Sequence, residues 1–137
     1  MNRAYVDTNI FDYVVMRDTR YGAACRRVLQ GIGSKFDAVC SFQVPAEILG
    51  SLSTIDHRLA QEALIGFFSY PIKLVEISQK LLSEAASISV ETKISGYDAI
   101  HVAAMRQENV HTIITENYKD FHKVKDIEVI RPHEYDL

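Results

Sequence analysis

The chain has 137 residues, and this length predicts a single domain over residues 1–137. Hydrophobic residues make up 47% and charged residues 24% of the sequence, a globular composition that excludes a disordered or fibrous chain. The net charge of −3 argues against a broad basic surface for nucleic acid, although acidic residues neutralised by a cation would weaken that argument.

The cysteines and the length of the apolar segments predict where in the cell the protein is located. Cys25 and Cys40 lie in apolar segments without CxxC spacing, so neither a disulfide framework nor a zinc site is expected. No segment approaches the roughly 18 uncharged residues of a membrane span. Residues 1–9 also lack the apolar core of a signal peptide. We therefore expect a cytoplasmic protein with no membrane partner.

Short apolar runs alternate with segments of helical periodicity along the chain. The predicted strands, each apolar through most of its length, are 4–6, 38–40, 72–75, 112–115 and 128–130. The predicted helices, each with apolar or small residues at helical spacing, are 21–29, 45–52, 58–68, 78–90 and 97–107. Ser78 is a plausible N-cap, and Ser95 with Gly96 forms another start signal. This alternation predicts a three-layer α/β fold, with a central parallel sheet of about five strands and helices on both faces.

Acidic residues follow several predicted strands, at the edge where a parallel sheet carries its functional crevice. Asp7 directly follows the first strand, and Glu47 lies in the first turn of the helix after the second strand. Asp98 lies in the first turn of the last predicted helix, and Glu116 and Asn117 directly follow the fourth strand. Carboxylates brought together repel one another unless a cation or shared protons compensate. Oxygen ligands without a His/Cys cluster favour Mg²⁺ or Mn²⁺.

Each of these acids also has a structural explanation. Asp7 could cap a helix, and Glu47 and Asp98 would each be favoured by a helix dipole. Capping does not explain why all three fall on one edge of the sheet, so together they favour a metal site. His101 lies one turn from Asp98 and could share the metal, but its helix is otherwise rich in Ala, Ile and Val. We interpret it as a packed histidine.

Four short motifs carry a resemblance to a known family. They are YVDTNIF at 5–11, VPAEIL at 44–49, YDAIHVAA at 97–104 and TENYKDF at 115–121. In this order and spacing they resemble the PIN-domain family, in particular the toxin subunits of VapBC-type toxin–antitoxin modules. The resemblance covers essentially the whole chain and implies the strand order 3-2-1-4-5. One position departs from the family pattern, because Asn117 stands where the family usually has an aspartate.

The resemblance implies a metal-dependent endoribonuclease that hydrolyses RNA phosphodiester bonds as the toxin of a toxin–antitoxin pair. Asp7 and Asp98 would hold Mg²⁺ or Mn²⁺, Glu47 would ligate the cation or orient the attacking water, and Asn117 would be an uncharged fourth ligand. Three further residues would support the site: Thr8, Asn9 and Thr115. The resemblance also implies a homodimer and a cognate antitoxin whose C-terminal segment crosses the acidic crevice.

Three other functions compete with this one. A non-catalytic PIN module that binds RNA or a protein partner is suggested by the neutral side chain of Asn117. A haloacid-dehalogenase-like phosphatase needs a second acid two residues after its first aspartate, where this chain has Asn9. A phosphoacceptor receiver domain needs a lysine after the last strand, where this chain has Arg131. The first stays as the alternative, and the other two are disfavoured.

Overall fold

A five-stranded sheet organises the protein, and the computed structural model describes residues 2–135. The strands are β1 (Arg3–Val6), β2 (Asp37–Ser41), β3 (Lys73–Val75), β4 (Thr112–Ile114) and β5 (Glu128–Ile130). Their order is β3-β2-β1-β4-β5, and every pairing is parallel. The predicted α/β class and strand order are confirmed.

Helices connect the strands and cover the sheet. They are α1 (Thr8–Val15), α2 (Gly22–Gln30), α3 (Gln43–Ser53), α4 (His57–Ser69), α5 (Gln79–Thr92), α6 (Gly96–Gln107) and α7 (Tyr118–Phe121), followed by a 3₁₀ turn at Pro132–Glu134. Right-handed crossovers in this strand order place α1 to α4 on one face and α5 to α7 on the other. Consecutive residues of β1, from Ala4 to Val6, are therefore all buried. None of the helices within residues 2–135 is long and apolar enough to cross a membrane.

Helix α1 was not among the predicted helices. It begins directly after β1, and Asp7 caps it with a side chain that accepts from the Thr8 backbone N–H. Its sequence, TNIFDYVV, is rich in the β-branched and aromatic residues that favour strands. The cap and the buried side chains of Ile10 and Phe11 outweigh that local preference.

Helix α3 begins earlier than predicted. The helix starts at Gln43 and not at Pro45, and the hydroxyl of Ser41, before the helix, accepts from the backbone N–H of Gln43 at 3.2 Å. Glu47 consequently lies in the second turn, and its predicted place in the first turn is wrong. The two start signals predicted at Ser78 and Ser95 are confirmed, because both hydroxyls accept from backbone N–H groups of their helices.

The register of the sheet aligns the residues that follow three adjacent strands. The backbone N–H of Asp7 donates to the carbonyl of Ile114 at 3.1 Å, and that of Thr115 donates to the carbonyl of Ile130 at 3.0 Å. Asp7, Thr115 and Arg131 therefore occupy equivalent positions at the carboxyl edge of the sheet, where ligand sites of such sheets lie.

Candidate metal centre

Asp7 is both the cap of α1 and the most central acidic residue at the sheet edge. Its Oδ1 accepts from the Thr8 backbone N–H at 2.7 Å, and its Oδ2 accepts from the Thr115 hydroxyl at 2.8 Å. The residue is 6% exposed. Because a carboxylate oxygen has two lone pairs, these bonds leave room for a further ligand. Asp7 can therefore cap α1 and bind a metal ion at the same time.

Glu47 reaches the same place from α3. Its Oε1 lies 2.6 Å from the hydroxyl of Thr8, which donates to it, and 2.7 Å from Nε2 of His101. Burial on its own would raise the pKa of Glu47. The hydrogen bond and positive charge of His101, together with the Thr8 hydrogen bond, outweigh burial and lower that pKa. Glu47 is therefore held as a carboxylate.

His101 has the packed position that its sequence context predicts, with 1% exposure. It also contacts the acidic residues, because Nε2 lies 3.5 Å from Asp7 Oδ1 as well as beside Glu47. Nδ1 lies 2.6 Å from the hydroxyl of Tyr5 on β1. Burial would lower the pKa of His101, but the hydrogen bond to Glu47 and the charges of Asp7 and Glu47 raise it overall. One ligand atom from each of Asp7, Glu47 and His101 lies within 4.8 Å of the others.

Asp98 lies beside this cluster, in the first turn of α6, as predicted. Its backbone N–H donates to the Ser95 hydroxyl at 3.2 Å. Burial raises the pKa of Asp98, and the negative charge of Asp7 adds to the rise, while the charge of His101 opposes it. Asp98 is therefore close enough to interact electrostatically with Asp7, although it is outside the group of atoms within 4.8 Å.

The residues after β4 hold Asp7 in place. The Thr115 hydroxyl, which donates to Asp7, accepts from Asn9 Nδ2 at 3.2 Å and from the Asn117 backbone N–H at 2.9 Å. Asn9 Oδ1 in turn accepts from the Glu116 backbone N–H at 3.3 Å. The supporting positions predicted for Asn9 and Thr115 thus form one network with Asp7. Asn117 joins that network through its backbone.

A second pair of polar side chains joins α1 to α3 next to the cluster. Ser51 Oγ donates to Asp12 Oδ2 at 2.7 Å, one helical turn from the bond between Thr8 and Glu47. Burial raises the pKa of Asp12 to about 6; the Ser51 hydrogen bond opposes this rise, and the charges of Glu47 and Asp7 add to it. Asp12 Oδ1 is buried without a hydrogen-bond partner among the described residues.

Two cavities differ in their relation to the acids. A cleft of about 520 Å³ is lined by Glu47, Gln43 and Tyr97 and opens beside the cluster. An apolar cavity of about 230 Å³ lies between α1, α3 and α4 and is lined by residues that include Phe11 and Phe67. Of the two, the first is the one that reaches a carboxylate of the cluster, because Glu47 forms part of its wall.

Aromatic and basic side chains flank the site on the β5 side. Tyr118 is 44% exposed, and its ring stacks on that of His122 with centroids 5.2 Å apart and planes inclined by 5°. The guanidinium carbon of Arg131 lies 5.1 Å from the centroid of the Tyr118 ring. Arg131 directly follows β5, and so this group borders the edge that carries Asp7.

The donor set fits a hard divalent cation. Asp7 and Glu47 bring two carboxylates together in a largely buried site, where their mutual repulsion would otherwise be costly. Carboxylate oxygens are the ligands that Mg²⁺ and Mn²⁺ prefer. Asp7 and Glu47 would hold such an ion, and Asp98 lies next to them.

Comparisons with known proteins agree with this fold. The family model for the PIN domain matches residues 4–127. VapBC2 from Rickettsia felis, solved bound to a promoter DNA fragment, superposes with a TM-score of 0.75 at 19% identity, covering 98% of this chain and 99% of that one. A toxin–antitoxin complex from Klebsiella pneumoniae gives a TM-score of 0.72 at 21% identity, covering 96% and 99%.

A third structure, Mycobacterium tuberculosis VapC20, is described as a toxin that cleaves the sarcin–ricin loop. It gives a TM-score of 0.74 at 20% identity, covering 92% of this chain and 98% of that one. At these identities the likeness concerns the fold. No curated protein sequence matches the chain significantly. The family match spans most of the chain and agrees with both the strand order and the acidic edge. The chain belongs to the PIN domain family.

Proposed function

We propose that this protein is a Mg²⁺- or Mn²⁺-dependent endoribonuclease and the toxin of a toxin–antitoxin pair. The observation that carries the proposal is the convergence of Asp7 and Glu47 at the carboxyl edge of a PIN-domain sheet. The structural likeness to toxin–antitoxin complexes and to a described RNA-cleaving toxin supports the biological setting. A cytoplasmic location fits such a setting.

The side chains have distinct proposed roles. Asp7 and Glu47 hold the cation, with Asp98 as a further ligand from α6 and Asn117 as an uncharged fourth position. When bound, the cation would stabilise charge on the phosphoryl oxygens and lower the pKa of the attacking water. Thr8 fixes Glu47 through its hydroxyl, because the hydrogen bond at 2.6 Å restricts the carboxylate to one orientation.

Single-stranded RNA is the substrate form that the surroundings favour. Single-stranded RNA is commonly bound through bases that stack on aromatic rings or guanidinium planes. The stacked pair Tyr118 and His122, with Arg131 beside it, provides both kinds of group at the sheet edge that also carries Asp7. The positive charge of Arg131 would also attract the phosphate backbone.

The proposed partners are a cognate antitoxin and a second copy of the chain. The solved neighbours include toxin–antitoxin complexes, which supports the first of these. An antitoxin could insert an apolar side chain into the cavity lined by Phe11 and Phe67 and offer a basic side chain to the carboxylates. A short upstream gene encoding a DNA-binding protein would support this assignment.

The decisive experiment compares Glu47→Gln with Glu91→Gln on a single-stranded RNA. Glu47 lies in the site, whereas Glu91 is an exposed residue of α5. We expect cleavage by the wild type and by Glu91→Gln in Mg²⁺ or Mn²⁺, none in EDTA, and a loss of at least 100-fold in Glu47→Gln. Cleavage that survives EDTA in nuclease-free protein would overturn the metal mechanism.

The alternative is a non-catalytic PIN module that binds RNA or a protein partner. The neutral side chain of Asn117 favours it, because the site then has one negative charge fewer than the usual family pattern. RNA binding without cleavage, at any Mg²⁺ or Mn²⁺ concentration, would support this alternative over the nuclease.

A further inference from the structure

We propose that His101 is a positioning residue: it donates an N–H hydrogen bond to the site carboxylates and does not bind the cation itself. The identity of the cation site rests on the proposed function. The hydrogen bonding of His101 rests on the buried polar groups around it, and it can be measured without any cleavage assay.

A chain of buried polar groups connects His101 to the middle of the sheet. The backbone N–H of Gln43 donates to Ser41 Oγ at 3.2 Å, and the backbone N–H of Ser41 donates to the hydroxyl oxygen of Tyr5 at 3.0 Å. The hydroxyls of Tyr5 and Ser41 are 2.9 Å apart, and that of Tyr5 is 2.6 Å from Nδ1 of His101. Tyr5, Ser41 and His101 are each at most 1% exposed, so water cannot replace any of these partners.

The available protons determine where the imidazole carries its hydrogen. If Tyr5 donates to Nδ1, Ser41 donates to Tyr5, and neutral His101 has its hydrogen on Nε2. If His101 is protonated, Nδ1–H donates to Tyr5, Tyr5 donates to Ser41, and Nε2 again carries a hydrogen. The first arrangement gives every hydrogen in the chain an acceptor, the second leaves only the Ser41 hydroxyl hydrogen without an acceptor in the chain, and both make Nε2 a donor.

The other neutral tautomer, with its hydrogen on Nδ1, does not fit the carboxylates that face Nε2. It would direct the lone pair of Nε2 at Glu47 Oε1 across 2.7 Å, with no hydrogen between them unless Glu47 were protonated. Oε1 already acts as an acceptor, because Thr8 donates to it at 2.6 Å. Nε2–H therefore donates to Glu47, with Asp7 Oδ1 at 3.5 Å as a second, more distant acceptor.

The donor role has a direct consequence for the cation site. A protonated Nε2 has no lone pair to give to a metal, so His101 leaves an all-oxygen ligand set, which suits Mg²⁺ or Mn²⁺. The hydrogen bonds from His101 and Thr8 both fall on Oε1 of Glu47, and Oε2 takes part in neither. Such outer partners fix the orientation of a ligand and tune its affinity. The rival is that His101 is a third ligand, since its ring nitrogen lies within 4.8 Å of both acids' oxygens.

Three variants separate these roles in a Mn²⁺-binding titration by calorimetry, without RNA. His101→Leu removes the donor at similar volume, His101→Gln can keep an N–H group near Nε2, and Tyr5→Phe removes the hydroxyl that faces Nδ1. We expect Mn²⁺ to bind roughly 10- to 100-fold more weakly to His101→Leu. We expect His101→Gln to recover most of that loss and Tyr5→Phe to bind several-fold more weakly. Tyr70→Phe, on the far side of α1 against Phe11, should match the wild type.

The wild-type protein provides a measurement that does not depend on how the variants fold. Imidazole ¹⁵N spectra should show a hydrogen on Nε2 of His101 in the metal-free protein, and that hydrogen should persist when Mg²⁺ is added. Loss of the Nε2 hydrogen on adding Mg²⁺, or equal Mn²⁺ affinity of His101→Gln and His101→Leu, would overturn the proposal. If the wild type bound neither ion, the proposed function would fail, and the metal-free spectrum would still decide whether Nε2 is a donor.

Discussion

Asp12 on α1 accepts a hydrogen bond from Ser51 on α3 at 2.7 Å, and it lies close enough to Glu47 and Asp7 for their charges to act on it. The pair forms a second polar link between two helices that Thr8 and Glu47 already join. Because the other carboxylate oxygen of Asp12 is buried without a partner among residues 2–135, this link is incompletely satisfied when Asp12 is ionised.

Asp12→Asn should therefore stabilise the protein at neutral pH. The pKa of Asp12 in the folded protein is raised to about 6 from 3.8, so its stabilising contribution is full below pH 3.8 and is lost as pH rises through about 6. A shift of this size in a fully buried group would be worth about 3 kcal/mol, and partial exposure reduces it to about 1 kcal/mol.

Thermal unfolding at two pH values tests this expectation. Asp12→Asn should melt a few degrees above the wild type at pH 7.5, and the two should melt together near pH 4. Asp37→Asn, which removes an exposed carboxylate, is the control and should change the melting temperature little at either pH. A lower melting temperature for Asp12→Asn at pH 7.5 would contradict the prediction.

Asp98→Asn should abolish cleavage and leave the metal-free protein at least as stable as the wild type. Burial and the charge of Asp7 raise the pKa of Asp98, so removing its charge relieves repulsion. The matched control is Ser78→Ala, which removes the cap of α5 away from the site. It should cost about 1 kcal/mol of stability and retain cleavage. A clear loss of stability in Asp98→Asn would favour a purely structural role for that residue.

Asn117→Asp should lower the Mg²⁺ or Mn²⁺ concentration needed for half-maximal cleavage. The added carboxylate would follow β4 beside Thr115, and affinity for hard cations rises with ligand charge. The competing possibility is that Glu116 or Asp120 supplies the missing carboxylate. In that case Asn117→Asp would change little, whereas Glu116→Gln or Asp120→Asn would raise the metal concentration needed for half-maximal cleavage. Metal titrations of all three variants distinguish these cases.

Tyr118→Ala and Arg131→Ala should weaken RNA binding more than they slow the chemical step. A base stacked on an aromatic side chain is worth about 1–3 kcal/mol, which corresponds to roughly a 5- to 150-fold higher KM. Arg131→Lys keeps the charge without the planar group, so it should recover only part of the loss. Arg58→Ala, an exposed position on α4, serves as the control. Unchanged KM in both Tyr118→Ala and Arg131→Ala would exclude this side of the site from RNA contact.

The strands could be predicted from the sequence because their pattern is local, whereas their order was implied by the family resemblance. Each strand is a short apolar run, and Asp7 is adjacent in sequence to the strand that positions it. Helix α1 could not be recognised in this way, since the residues after Asp7 favour a strand and only the cap and the tertiary packing reverse that preference.

The contacts of His101 show a different limit. Its apolar neighbours correctly predicted burial, but the partners that define its role are 54 and 96 residues away in sequence. No periodicity within α6 carries information about Glu47 or Tyr5. The positions of the three acids relative to the predicted strands and helices singled them out, and the resemblance pointed to the same residues, whereas the hydrogen bonds that orient them required the folded chain.

The position of Asp7 affects how an inactive form of this protein should be made. An alanine there would remove the cap of α1 along with the charge, at a cost of about 1–2 kcal/mol, so a silent variant could simply be poorly folded. Asparagine caps a helix as well as aspartate does, and its single oxygen can keep the bond from Thr8 while the charge and the acceptor facing Thr115 are lost. Asp7→Asn is therefore the safer choice for producing an inactive but folded protein, for example when a toxic activity limits expression.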